Sequence, residues 1–166
     1  MFNAVLFLIV CERCLLNVFN WWGFLFEMVV VKIKRLRDNA VLPCYAHEGD
    51  AAMDVTAVSK EGRDNFIEYK TGLSFEVPRG HVMLVFPRGS NTKSDLILGN
   101  CVGVLDSGYR GELIIRFNIL GDRLHYEVGD RIAQIMILPY PEVKFVESEE
   151  LGGSARGEGR FGSTGR

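Results

Sequence analysis

An all-β fold, a jelly-roll-like sandwich or barrel, is what this sequence predicts, and three observations predict it. Apolar runs after Met28 are short; turn signals such as Pro78-Arg-Gly80, Gly121-Asp122 and Gly129-Asp130 recur at close intervals; and almost no segment is long and periodic enough for a helix. At 166 residues, 48% hydrophobic and 24% charged, the chain is expected to form one domain with a real core. Candidate strands, in order, cover 29–36, 53–57, 65–69, 73–77, 81–86, 102–105, 112–120, 126–128, 131–138 and 143–146. The β-branched and aliphatic content of 112–118 and 132–138 suits strands covered on both faces, or a sandwich interior. One short helix is expected over 91–96, opened by Ser90 as its cap.

Two flanking segments differ from this body, which spans 28–150. Residues 1–27 are rich in Phe, Leu, Val and Trp, yet Glu12 and Arg13 interrupt them, leaving apolar runs too short for the roughly 20 residues a bilayer core demands. The order of charges and small residues in a signal peptide is also missing. The expectation is upstream sequence ahead of a start at Met28, with an amphipathic or membrane-associating extension as the alternative. Residues 151–166 form a Gly-rich C-terminal arm that cannot order itself by apolar burial, and it is expected to be flexible until something binds.

A net charge of −2 carries no footprint of a nucleic-acid binder, so an anionic ligand must be held by local groups. Cys11 and Cys14 have the spacing of half a zinc or redox site, but no second pair or histidine accompanies them. Cys44 and Cys101 read as buried or half-buried thiols of a reducing compartment, and the cytoplasm is the expected location.

Five segments could carry chemistry. Asp54 falls in an apolar strand start and reads first as a satisfied structural carboxylate. In Phe86-Pro-Arg-Gly-Ser90, Arg88 and the backbone donors of Gly89 and Ser90 ahead of a helix would make an anion site, or simply a capped helix start. The stretch 98–112 reads as a β-hairpin, with Asp106 beside an otherwise apolar strand, where partial desolvation would make it a better base. In the bland alternative Asp106 merely starts the turn and Tyr109 packs. Gln134 is an amide in mid-strand, either bonded to backbone or aimed at a ligand. In the arm, Arg156, Ser163 and Thr164 suit a phosphate chain and Phe161 a flat base, although such a tail also reads as a solubilising terminus.

Taken in chain order, these segments resemble the five motifs of the homotrimeric dUTPase family, over a match running from Val29 to Gly165. Gly103-Val-Leu-Asp-Ser-Gly-Tyr-Arg-Gly-Glu112 looks like its third motif and Arg156-Gly-Glu-Gly-Arg-Phe-Gly-Ser-Thr-Gly165 like its fifth. The resemblance implies hydrolysis of dUTP to dUMP and pyrophosphate, which limits uracil incorporation into DNA and supplies dUMP for thymidylate synthesis. It implies that Asp106 activates a water for attack on the α-phosphorus and that Tyr109 excludes a 2′-hydroxyl. Uracil would be read by the hairpin backbone, including Val104, and by Asn100. Arg88, Gly89, Ser90 and Gln134 would hold phosphates or the catalytic water, and Arg156, Phe161, Gly162, Ser163 and Thr164 would close over the substrate. The implied metal is Mg²⁺, bound through the substrate triphosphate with no protein ligands. The implied assembly is a homotrimer with shared active sites, with no direct nucleic-acid or membrane partner.

Two departures stand out. Gly89 occupies a position where serine is usual in the second motif, so a phosphate-contacting hydroxyl is missing or replaced by that of Ser90. Arg160 stands where the fifth motif usually has glycine. Two other readings share the fold or its ligand. A dCTP deaminase would need a glutamate where this chain has Arg116. A non-catalytic dUTP sensor would signal through closure of the arm.

Overall fold

In the computed structural model, which describes residues 28–123 and 125–160, nine strands form two antiparallel sheets. The extension 1–27 and the arm residues Phe161, Gly162, Ser163 and Thr164 lie outside the described part. One sheet runs β1 (Lys32–Arg35), β4 (Phe66–Glu76), β8 (Glu112–Ile119), β6 (Leu96–Leu98), with β3 (Ser59–Gly62) also paired to β4. The other runs β2 (Met53–Thr56), β9 (Arg131–Pro139), β5 (His81–Pro87), β7 (Gly103–Leu105).

Alternation along the strands explains why the sheets face each other. In β8 the side chains of Leu113, Ile115 and Phe117 are buried, while Ile114 and Arg116 point out. The core they enter includes Tyr69 and Leu73 of β4, Met83 and Val85 of β5, and Ile132 and Ile135 of β9. Of the two readings of 112–118, the sandwich interior holds: one face of β8 enters the core, and the outer face is open in the single chain. At the centre, Tyr69 and Phe117 meet edge-on with ring centroids 5.9 Å apart. Burial pushes the Tyr69 phenol up to about 12, so it keeps its proton and donates to the Tyr126 carbonyl at 3.1 Å.

Several elements differ from expectation, each for a local reason. The two strands expected at 65–69 and 73–77 are one, because Gly72 is absorbed as a bulge: the register against β8 shifts between Lys70 and Ser74. Gly72 has φ +67°, its N–H donates to Glu112 Oε1 at 2.8 Å, and the buried Thr71 hydroxyl donates to the Leu113 carbonyl at 2.8 Å. A Cβ on Gly72 would lie 3.0 Å from the Ala40 Cβ and 3.2 Å from a Val58 methyl. Gly72→Ala is therefore expected to destabilise the protein by about 1–3 kcal/mol, measured as a lowered urea midpoint at unchanged slope.

The helix expected over 91–96 is a 3-10 turn at Gly89–Lys93, capped by Arg88 without a side-chain cap bond, and Leu96 already belongs to β6. Residues 126–128 make a turn rather than a strand, closed by the Asp130 carboxylate accepting from the Glu127 N–H at 2.7 Å. Residues 143–146 pair with nothing in the described chain, and Phe145 is 92% exposed. β3 escaped notice because Ser-Lys-Glu-Gly has no apolar face; it is held by backbone pairing at a sheet edge. No helix among the described residues is long and apolar enough to cross a membrane.

Candidate active site

Strand register brings three of the singled-out segments to one place. In the second sheet Gln134 of β9 lies opposite Asp54 of β2 on one side and Phe86 of β5 on the other. The chain leaves β5 into Arg88, Gly89 and Ser90, and these line a cleft of about 640 Å³ together with Asp54, Gln134 and Ala52. That volume is in the range of small-molecule sites.

Asp54 organises the cleft. Its carboxylate accepts from Arg88 Nε at 2.7 Å and Nη2 at 3.2 Å, a bidentate pairing, and from Arg131 Nη1 at 3.1 Å. Arg88 also donates from Nη1 to the Ser90 hydroxyl at 3.2 Å and to the Arg131 carbonyl at 3.3 Å. One carboxylate thus faces two guanidinium groups beside a serine hydroxyl, a donor set that suits phosphate oxygens, while Asp50 also lines the cleft. Gln134 donates from Nε2 to the Pro87 carbonyl at 2.9 Å, so its amide is fixed to backbone. Sequence reasoning gave Asp54 only a structural part and missed Arg131. The available signal was two polar residues, Asp54 and Gln134, set in apolar strands.

Asp106, Tyr109 and Val104 line a second, smaller cavity of about 190 Å³, with Leu105, Glu112 and Leu113. Asp106 opens a turn after β7 in which its carbonyl accepts from the Tyr109 N–H at 3.1 Å. The Tyr109 hydroxyl donates to the Glu112 carbonyl at 3.1 Å, folding the ring back over Gly111, where any Cβ would collide with the phenol. Glycine at 111 is thus the space that Tyr109 occupies.

Four expectations are corrected. Residues 98–112 are not a self-paired hairpin: β6 pairs with β8 in one sheet and β7 with β5 in the other. The link between them is a tight turn through Asn100 and Cys101, the latter at φ 60°, which crosses between sheets. Asp106 is exposed in the single chain rather than desolvated, because β7 is an edge strand and none of the described residues covers the turn. Cys44 and Cys101 are free and exposed, each in a surface loop. The anion site at a helix N-terminus likewise reduces to the arginine and hydroxyl, since a 3-10 turn of this length has little dipole.

The two cavities are well separated. Leu105 is in register with Met83 near the start of β5, whereas Arg88 follows its end, so the length of that strand, about 20 Å, lies between Asp106 and Arg88. Arg156 lines neither cavity; it is exposed, and its Nε donates to the Gly159 carbonyl at 3.1 Å within the arm itself. Among the described residues, Asn100 is exposed at the turn beside Gly103.

The chain is similar to known proteins in sequence and in fold. A family model described as dUTPase matches residues 38–165. The deoxyuridine 5'-triphosphate nucleotidohydrolase of Clostridioides difficile is 38% identical over 144 residues, covering 83% of this chain and 99% of that protein. That of Clostridium acetobutylicum is 42% identical over 144 residues, covering 83% and 98%. Among solved structures, a mutant Staphylococcus bacteriophage 80alpha dUTPase with dUpNHpp superposes with a TM-score of 0.72 at 26% identity, covering 82% of this chain and 99% of that one. With a matching family model over most of its length and relatives covered almost end to end, this chain belongs to the dUTPase family.

Proposed function

We propose that this protein hydrolyses dUTP to dUMP and pyrophosphate, keeping uracil out of DNA and supplying dUMP for thymidylate synthesis. The observation that carries the reading is the pairing of a phosphate-suited cleft, Arg88 and Ser90 held by Asp54, with a separate exposed carboxylate, Asp106, behind a tyrosine gate. Asp106 accepts a proton from water as the water oxygen attacks the α-phosphorus. The bond from that phosphorus to the bridging oxygen breaks, and the electron pair leaves on pyrophosphate. Arg88 and Ser90 bind the phosphates, Gln134 orients phosphate or water, and Tyr109 stands against the deoxyribose to reject a 2′-hydroxyl. Val104 and Asn100 face the base, and Arg156, Phe161, Gly162, Ser163 and Thr164 close over the bound nucleotide.

Mg²⁺ enters with the triphosphate. Among the described residues no three His, Cys, Asp or Glu side chains gather as a cage. The cleft offers guanidinium groups and a hydroxyl that fit phosphate oxygens, and of its two carboxylates Asp54 is already paired with Arg88 and Arg131. Bound in that way, the metal would neutralise charge on the phosphates that Arg88 and Ser90 hold.

Because Asp106 and Arg88 of one chain are about 20 Å apart, a water at the first cannot reach a phosphorus held at the second. A complete site therefore draws the two parts from different copies, which supports the homotrimer with shared sites. We place the protein in the cytoplasm, in keeping with free, exposed Cys44 and Cys101. The deaminase reading is disfavoured at Arg116, which donates to Glu68 Oε1 at 2.6 Å on the outer sheet face and offers no proton-transfer carboxylate at that position. A pyrophosphate-release assay across dUTP, dCTP, dTTP and UTP is the test. Release from dUTP at a kcat/KM at least about 10²-fold above the others is expected, and conversion of dCTP to dUTP without pyrophosphate would overturn the reading.

A further inference from the structure

Tyr126 joins the aromatic core to the wall of the larger cleft. Its ring packs edge-on against Tyr69 at 6.2 Å and tilts against Phe117 at 5.7 Å, and its carbonyl accepts from the Tyr69 hydroxyl. The phenol then reaches outward and donates to Asn91 Oδ1 at 3.2 Å. Asn91 is the hub of the turn Gly89–Lys93: its N–H donates to the Arg88 carbonyl at 2.9 Å, its side-chain amide to the Leu96 carbonyl at 2.8 Å, and its Oδ1 also accepts from the Ser94 hydroxyl at 3.0 Å. Burial raises the Tyr126 phenol above its ordinary value, while the neighbouring Ser90 hydroxyl and the Arg88 charge pull it the other way. It keeps its proton at neutral pH and acts as a donor.

We infer that Tyr126 is a positioning residue for the phosphate grip, its hydroxyl fastening the Gly89–Lys93 turn to the core so that Arg88 and Ser90 meet phosphates in one fixed geometry. The need for such a fastening arises at Gly89. A Cβ there would meet nothing within 4 Å, so residue 89 adds no packing to hold the turn, and as glycine its backbone is freer than that of any other residue. The bond from Tyr126 ties the turn to a side chain that cannot move without disturbing two buried rings. Tyr126→Phe keeps those ring contacts and removes only the bond to Asn91 Oδ1, which still has the Ser94 hydroxyl, shared with the Asn91 carbonyl, within 3.0 Å.

The inference rests on the dUTP reading, and the experiment separates the two. Wild-type protein that releases no pyrophosphate from dUTP would sink the functional reading itself. With active wild type, Tyr126→Phe is measured by calorimetric titration with dUpNHpp and with dUMP, alongside its melting temperature. The expected result is an affinity for dUpNHpp weaker by roughly three- to tenfold, from the loss of one hydrogen bond, with dUMP affinity unchanged because dUMP lacks the outer phosphates. Equal affinities for both ligands in variant and wild type would overturn the positioning role. So would a parallel loss for both with a lowered melting temperature, which is the signature of a purely structural tyrosine.

Discussion

Asp106→Asn is expected to lower kcat for dUTP by about 10³-fold, equivalent to about 4 kcal/mol of barrier, while dUpNHpp binds within a few-fold of wild type. The substitution preserves shape and removes only basicity. The turn does not depend on the carboxylate, because it is the Asp106 backbone carbonyl that accepts from Tyr109, and the Tyr109 hydroxyl is held by Glu112. The phosphate grip is set by Asp54 and Arg88 at the other end of β5 and is untouched. Steady-state pyrophosphate release and calorimetric titration together read the split. Near-normal turnover would mean that the base lies elsewhere, and lost binding would make Asp106 a structural or ligand-holding residue.

Ending the chain at Leu151 is expected to reduce kcat/KM by about 10²-fold without shifting the thermal midpoint, because closure over a bound substrate fixes orientation and excludes water. The second half of that statement rests on burial: residues 151–160 are exposed, and Leu151 itself is 91% exposed, so the described part of the arm takes no core with it. The first half rests on the motif in which Arg156, Phe161, Gly162, Ser163 and Thr164 fall. Full activity of the truncated protein would remove the arm from the mechanism. A lowered midpoint would assign it to folding instead.

Much of the architecture was legible from residue patterns. The β-branched and aliphatic content of 112–118 predicts a strand and delivers β8, whose inward side chains are Leu113, Ile115 and Phe117. Legibility failed where a rule about local sequence met a tertiary constraint. Gly72 looks like a break between two strands but is a bulge within one, because Thr71 and Glu112 satisfy the backbone around it. Leu96-Ile-Leu98 carries too few residues to show a period, and only pairing with β8 makes it a strand. At the site, Arg88, Ser90 and Gln134 do converge, because one register between β5 and β9 aligns them. Arg131 and Tyr126 went unseen because each works through a partner far away in sequence, Asp54 and Asn91 respectively. The exposure of Asp106 was illegible for a further reason: it depends on β7 lying at a sheet edge, paired only with β5 among the described residues.

The strand-length gap between base and phosphate grip also bears on heredity. If every working site borrows parts from neighbours, a copy with a damaged Asp106 spoils a site whose arginines are intact, and a copy with damaged arginines spoils one whose base is sound. In a mixed population the harm then spreads beyond the faulty gene product. Yet two faulty alleles hit at opposite ends of β5 can still meet in one assembly and leave some sites with every part in order.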